Sequence, residues 1–338
     1  MKLHLSPYLV ALAMLAMAAG SALAVEPTVQ VVAPVNEASY SKTWLPARDS
    51  HTTVQYSTVK SAGDVYIRTS LRGDSTLNIV ADSIEAAGKV SVSTSSGDIT
   101  IGDVKANDMQ ISTSKGNIIL TGNIQSAVAD GSTISISANG TPGCIILDGA
   151  SISNVGLTNS YWDENYNQAY GQFSISGDTK LSGVYFDGAS VDVAAGATLS
   201  LDNVLFTTRE NSNKGQSAST GLVLGDNVTL TLNAGDTLDV KSLIIGNNVD
   251  FVVTLSSEEF LALEDSEFEL FSVVEGEVDF SNVSFTFTDG EQFKTGTIDA
   301  TAGSICVTNT QIVYVPEPAT ATLSLLALCG LAARRRRK

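Results

Sequence analysis

The residues in this sequence that could do chemistry are mostly carboxylates. Asp163 and Glu164 lie in one polar segment, and either Asp187 or Asp202 could share a face with them. A general acid and a general base that cleave a glycosidic bond need two such groups about 5 to 9.5 Å apart in one cleft. The spacing does not show such a cleft, and aspartates at Gly-Asp corners already have a structural role. We therefore predict no catalytic residue and expect that the protein is not an enzyme.

Histidine and cysteine are too scarce for a metal centre or a nucleophilic pair. His51 is the only histidine after residue 24, and no Gly-x-Ser-x-Gly elbow is present to form a triad with it. No metal and no cofactor are expected. Cys144 and Cys306 each lie in an apolar strand, which is typical of cysteines buried as small hydrophobic residues. A disulfide between them would close a loop of about 160 residues and would stabilise the fold by roughly 5 kcal/mol, so pairing stays open.

The segment from Tyr161 to Tyr170 is the best candidate for ligand binding. Aromatic rings stack on the apolar faces of sugars, and neighbouring amide and acid groups bind the hydroxyls. The alternative is an insertion loop whose rings pack on the surface for stability. The candidate glycan contacts are Tyr161, Trp162, Asp163, Tyr166 and Tyr170.

Short β-strands and tight turns surround these residues. Triplets such as Val90-Ser91-Val92 alternate apolar and polar residues with period two, and Gly-Asp or Gly-Asn pairs separate them. Residues 93–99 recur as residues 112–118, a shift of 19 residues. A short repeat with strands of three to five residues predicts an all-β fold, a parallel β-solenoid in which each coil stacks on the last. An antiparallel sandwich is the second choice.

The strand pattern resembles the parallel β-helix regions of bacterial surface proteins, such as autotransporter passenger domains and adhesin heads. We predict a solenoid over residues 61–253, interrupted by a Ser/Asn-rich loop over residues 207–220. Residues 25–60 are predicted as a linker and N-terminal cap, and residues 254–315 as a small β-rich cap. The capping-box spacing of Ser256 and Glu259 predicts one short helix in that cap.

The C-terminal segment, residues 316–338, has three parts in a fixed order. Pro316, Glu317 and Pro318 precede an apolar run over residues 319–333, and the basic cluster Arg334, Arg335, Arg336, Arg337 and Lys338 follows. The run would span about 22 Å as a helix, which is short for a bilayer but tolerable because arginine side chains snorkel. The basic cluster predicts a cytoplasmic end, with the bulk of the chain outside.

This order closely resembles the PEP-CTERM sorting signal of Gram-negative bacteria. The resemblance implies that an exosortase in the inner membrane reads the Pro-Glu-Pro motif and cleaves near it. The protein would be anchored at its C-terminus before processing and would then reach the cell surface or the extracellular matrix. A plain tail anchor or a basic nucleic-acid tag is the alternative reading.

The N-terminus fits the same topology. Lys2, an apolar stretch over residues 9–19 and Ala22-Leu23-Ala24 predict a signal peptide over residues 1–24, cleaved between Ala24 and Val25. Residues 25–318 keep 13 of the 19 Lys and Arg against all 36 Asp and Glu, a net charge near −23. This charge disfavours nucleic acid as a partner and leaves polysaccharide as a candidate.

Overall fold

The computed structural model describes most of the chain between residues 29 and 308. The described ranges are 29–32, 35–37, 42–46, 53–68, 76–128, 132–139, 143–162, 168–206, 208–211, 216–263, 267–273, 278–301 and 304–308. The signal peptide and the sorting segment, with all the residues predicted for cleavage, sorting and membrane stop, lie outside these ranges. Among the described residues, no helix is long and apolar enough to cross a membrane.

Thirty-four strands and one short helix make up the described part of the chain. The strands up to residue 139 are β1 Val29–Val32, β2 Val35–Glu37, β3 Lys42–Pro46, β4 Thr53–Tyr56, β5 Val59–Ser61, β6 Asp64–Arg68, β7 Asn78–Ala86, β8 Lys89–Thr94, β9 Ile99–Ala106, β10 Asp108–Thr113, β11 Ile118–Leu120, β12 Asn123–Ser126 and β13 Thr133–Asn139.

The strands up to residue 219 are β14 Ile145–Asp148, β15 Ser151–Ser153, β16 Gly156–Trp162, β17 Gln168–Tyr170, β18 Gln172–Ser176, β19 Asp178–Ser182, β20 Tyr185–Asp187, β21 Ser190–Val193, β22 Thr198–Asp202, β23 Leu205–Phe206, β24 Thr208–Asn211 and β25 Gln216–Ser219. The remaining elements are β26 Gly221–Leu224, β27 Thr229–Asn233, β28 Leu238–Val240, β29 Leu243–Ile245, β30 Val249–Thr254, α1 Ser257–Leu261, β31 Glu267–Val273, β32 Val283–Thr288, β33 Phe293–Thr301 and β34 Ser304–Thr308.

Most of these strands form three long parallel ladders, and the chain passes through the ladders one after another. The first ladder is β1-β4-β7-β9-β11-β14-β18-β21-β26-β29. The second is β2-β5-β7-β9-β12-β15-β19-β22-β27-β30-β32. The third is β3-β6-β8-β10-β13-β16-β20-β23. We call one pass through the three ladders a coil. The fold is therefore all-β with long parallel sheets, an arrangement consistent with a β-solenoid.

The alternation of side chains explains the core. In the first ladder one inward column stacks isoleucine on isoleucine and then phenylalanine, each of them fully buried: Ile79, Ile99, Ile118, Ile145 and Phe173. Burying such a side chain contributes roughly 1.5–3 kcal/mol. Later coils fill the interior with rings, and Phe186 lies 5.0 Å from Phe173 and 5.3 Å from Phe206 between ring centroids. The repeat predicted from the sequence matches the pairing register of the third ladder, in which Val90 pairs with Met109.

Parallel pairing extends beyond the boundaries predicted for the solenoid. It begins at Val29, inside the segment predicted as linker and N-terminal cap, and in the second ladder it continues through β32 to Thr288. The hydrogen bonds of a parallel ladder join backbone N–H and C=O groups. A segment whose side chains do not alternate clearly can therefore still add a strand. The loop predicted over residues 207–220 contains the antiparallel hairpin β24–β25.

After α1, β31 pairs in parallel with β28, and the last pairings of the described chain are antiparallel. β33 pairs with both β32 and β34, and β34 pairs with β31. The predicted helix is confirmed as α1, with Ser256 as N-cap and a complete capping box with Glu259. Its Phe260 is fully buried, and the Lys294 ammonium lies 4.3 Å from that ring centroid.

Candidate functional site

A column of Asp and Asn side chains marks the corner where each coil passes from the third ladder to the first. Asn78 Oδ1 accepts a hydrogen bond from the Asp98 backbone N–H at 2.9 Å, and Asp98 Oδ1 accepts from Asn117 N–H at 2.7 Å. Asn117 Oδ1 then accepts from Cys144 N–H at 2.9 Å. Each corner is thus tied to the next, which explains why the sequence repeats Gly-Asp and Gly-Asn.

At Cys144 a thiol occupies the position that Asp or Asn side chains take in the preceding coils. The Cys144 thiol is free, so it forms no disulfide, and Sγ donates to the Gln172 carbonyl oxygen at 3.4 Å. Burial, and then the nearby Asp192 carboxylate, raise the pKa of this thiol. It is therefore a neutral group near neutral pH. Cys306 lies in β34.

An antiparallel hairpin lies beside this corner. β16 pairs with β13 over its whole length, and beyond Thr158, where its pairing with β20 ends, it pairs with β17. Ser160 then lies across from Tyr170 and Tyr161 across from Ala169. The chain returns to the corner through Gly171, whose N–H donates to the Asn159 carbonyl at 2.9 Å. A Cβ atom on Gly171 would collide with the Asn159 amide, so only glycine permits this close return.

The Asn159 side chain holds the corner from inside the coil. It is fully buried, and its Nδ2 donates to the carbonyl oxygens of Gly143 at 3.0 Å and Gln172 at 2.9 Å. Two acceptors at Nδ2 define the orientation of the amide. Its Oδ1 is buried with no hydrogen-bond partner among the described residues. Asn159 therefore ties together the two corner segments beside the hairpin.

An open groove lies between the hairpin and the corner, with a volume of about 460 Å³. We call it the corner groove. It is lined by Asn117, Gly143, Cys144, Tyr161, Tyr170, Gly171, Gln172 and Ala189. Both tyrosines are half-buried, and Tyr161 also packs against the core. The groove therefore combines two aromatic rings with two amide side chains.

The structure brings together only some of the predicted glycan contacts. Tyr161 and Tyr170 line the corner groove, whereas Trp162 is 46% exposed and does not line it. Alternation along β16 turns Trp162 to the opposite side from Tyr161. Asp163 and Tyr166 lie outside the described residues.

Asp187 and Asp202, the described carboxylates among those considered for catalysis, lie in different ladders. Asp187 is 4% exposed in the third ladder. Asp202 is exposed at the end of β22 in the second ladder, where it accepts from Ser182 Oγ and Asn233 Nδ2, each at 2.8 Å. Asp163, Glu164 and His51 lie outside the described residues. Within the ranges the structure describes, no group of three or more His, Cys, Asp or Glu side chains could hold a metal ion.

Sequence reasoning missed Asn117, Cys144, Asn159 and Gln172 as partners of the hairpin. A signal for two of them exists, because Gly143-Cys144 and Gly171-Gln172 occupy the corner position of Gly97-Asp98 and Gly116-Asn117. Insertions hide it: Cys144 follows its partner Asn117 by 27 residues rather than 19.

Comparison with known proteins gives no assignment. No protein-family model, no curated protein and no solved structure matches this chain. What the site can do therefore rests on its own geometry.

Proposed function

We propose that this chain is an exported structural or adhesive protein of the cell envelope or extracellular matrix, without catalytic activity. A C-terminal sorting signal read by an exosortase would direct it there. The observation that carries the proposal is the order of the C-terminal segment: Pro316-Glu317-Pro318, an apolar run over residues 319–333 and a basic cluster over residues 334–338. The signal-peptide pattern of residues 1–24 is independent support.

The fold supports a structural role. We propose that the three parallel ladders close into a β-solenoid, which would present much surface for each residue of chain. The acidic charge of the exported part would keep neighbouring copies apart and soluble on a crowded surface. Exposed Asp and Asn side chains at the corners bond along the stack: Asp226 Oδ1 accepts hydrogen bonds from the Asn247 backbone N–H at 2.7 Å and from Asn247 Nδ2 at 3.1 Å.

Mass spectrometry of the protein from its native cells tests the sorting proposal. The mature protein should begin at Val25, and no peptide should contain the basic cluster that follows residue 333. A matched variant with Pro316, Glu317 and Pro318 all changed to alanine should keep its basic terminus and stay in the inner membrane. An intact basic terminus on the mature wild-type protein would reject processing.

Protease accessibility on intact cells tests export separately. The segment that carries Trp162 should be cut from outside in wild-type cells. If reporter fusions near Trp162 instead place it in the cytosol, the exported role is wrong whatever happens at the tail.

The second candidate function is carbohydrate binding, and the corner groove favours it. Tyr161 and Tyr170 supply rings, and Asn117 and Gln172 supply amides beside them. Binding on a glycan array would support this function. Turnover of a polysaccharide that is lost on Asp202→Asn would instead support an enzyme.

A further inference from the structure

We propose that the corner groove binds a neutral pyranose unit of a polysaccharide. This inference rests on the second candidate function, that the chain binds carbohydrate. It adds which residues form the site and which class of sugar they accept. The volume of the corner groove, about 460 Å³, falls within the range of small-molecule sites, roughly 300–1,000 Å³.

Each of the two tyrosines offers a separate ring. They come from opposite strands of the β16–β17 hairpin, and because Tyr170 lies across from Ser160, alternation places its side chain on the opposite face of the hairpin from Tyr161. Both residues nevertheless line the groove. Tyr161 is held further by its packing against the core. A ring fixed in a paired strand loses little conformational entropy on binding, which suits it to stack on a pyranose face.

The amide of Asn117 is oriented before any ligand arrives. The amide atom that accepts the Cys144 backbone N–H must be the oxygen, which assigns Oδ1 and fixes the orientation of the amide. Its Nδ2 has no acceptor among the described residues and is left to donate to a ligand hydroxyl. Gln172 is exposed and lies at the corner two coils after that of Asn117. It adds a second amide that can both donate and accept.

The electrostatics of the groove select against an anionic sugar. No Lys, Arg or His is among its described lining residues, and its thiol is neutral. The nearby charged group is the Asp192 carboxylate, which accepts from Ser190 Oγ at 2.9 Å. A uronate would thus enter an acidic field with no cation to pair with, whereas a neutral pyranose meets no such penalty.

Trp162 provides a matched control within the same hairpin. It is exposed and adjacent to Tyr161 in sequence, but it does not line the groove. A site that used the whole aromatic segment would need Trp162. The corner groove does not.

A glycan array of neutral and uronate-containing oligosaccharides tests the proposal, with wild-type protein, Tyr170→Ala, Gln172→Ala and Trp162→Ala compared. We expect binding to neutral glycans, a loss of affinity of about tenfold or more for Tyr170→Ala, and less than about a twofold change for Trp162→Ala. Tyr170→Phe, which keeps the ring, should retain most of the affinity. Circular dichroism checks that each variant is folded.

Alkylation of Cys144 gives a second readout that does not depend on a variant. With iodoacetamide at mildly alkaline pH and peptide mapping, a bound neutral glycan should slow the labelling of Cys144 in the wild-type protein. Absence of protection by a glycan that binds would place that glycan elsewhere and overturn the groove.

The outcomes separate the two levels of the proposal. Binding that survives Tyr170→Ala but is lost on Trp162→Ala would leave carbohydrate binding intact and reject the corner groove. A preference for uronate-containing glycans would reject the ligand class. No binding to any glycan would reject carbohydrate binding itself.

Discussion

The Asp98 carboxylate of one coil accepts the backbone N–H of Asn117 in the next, with Oδ1 and N 2.7 Å apart. The same relationship joins Asp103 to Asn123 at 2.8 Å and Asp226 to Asn247 at 2.7 Å. At these positions, the acidic residue of a Gly-Asp pair serves as a hydrogen-bond acceptor between coils. These three aspartates are therefore compatible with a stable stack.

Removal of the Asp98 acceptor should destabilise the fold. Asp98→Ala leaves the Asn117 N–H without its partner in a half-buried corner, and we expect a loss of about 1–2 kcal/mol in the free energy of unfolding. Asp98→Asn keeps an oxygen at the same place and should lose less. Urea unfolding measures both, with Asp178→Ala as an exposed control expected within about 0.5 kcal/mol of wild type. Equal effects of the alanine and asparagine variants would argue against the acceptor role.

Gly97 is required by both its backbone angle and its neighbour. Its φ is +124°, and a Cβ atom would collide with the Leu77 carbonyl oxygen in the preceding coil. Gly97→Ala should cost about 3–4 kcal/mol. Gly149→Ala is the matched control, because Gly149 has φ +63° but open space around its Cβ position, and strain alone should cost about 1–2 kcal/mol. If thermal unfolding shows equal losses, the close approach at Gly97 does not matter.

The strands and corners were predictable because local chemistry encodes them. Alternation within β8 and β10 and the glycines at positions 97 and 116 gave the elements and their register. The helix α1 followed from Ser256 and Glu259, whose bonds involve neighbouring residues only. Such features need no knowledge of distant partners.

The corner groove was only half predictable. Tyr161 and Tyr170 stand out in the sequence, but Asn117 and Cys144 meet them through pairing between coils of unequal length. The parallel strands β1 to β3 were missed for a related reason. They lie in a segment with Pro27, Pro34 and Pro46, a composition typical of a linker, whereas backbone pairing with β4, β5 and β6 places one of them in each ladder.

The buried Asn159 amide should be intolerant of negative charge. Asn159→Asp removes both donors to the Gly143 and Gln172 carbonyls and places a carboxylate beside them, so we expect a loss of about 3 kcal/mol or more at neutral pH. The penalty should shrink as pH falls, because the buried carboxyl would bind its proton more tightly when folded than when unfolded. Asn203→Asp is the control: Asn203 is exposed with φ +51°, which aspartate also tolerates. A pH-independent loss would contradict the buried-charge explanation.

The capping box of α1 should make the C-terminal region sensitive to acid. The Ser256 hydroxyl and then its backbone N–H hold the pKa of Glu259 below its ordinary value. The resulting stabilisation is fully present above the unfolded-state pKa of about 4.3 and is lost as pH falls through the lower folded-state value. Ser256→Ala should cost about 1 kcal/mol at pH 7 and should weaken this acid dependence. Hydrogen exchange of the α1 amides between pH 3 and 7 measures it, and unchanged protection in the variant would argue against the cap.

Alkaline stability should depend on Tyr56. This tyrosine is 1% exposed in the first ladder, and burial raises its pKa to about 12. Because the folded-state pKa lies above the unfolded-state value of about 10, the stabilisation is fully present below pH 10 and is lost as pH rises toward 12. Urea unfolding from pH 8 to 12 should show wild type losing about 2–3 kcal/mol more than Tyr56→Phe, whose ring fills the same space without an ionisable group. Parallel losses in the two proteins would mean that the Tyr56 hydroxyl ionises as readily in the folded chain as in the unfolded one.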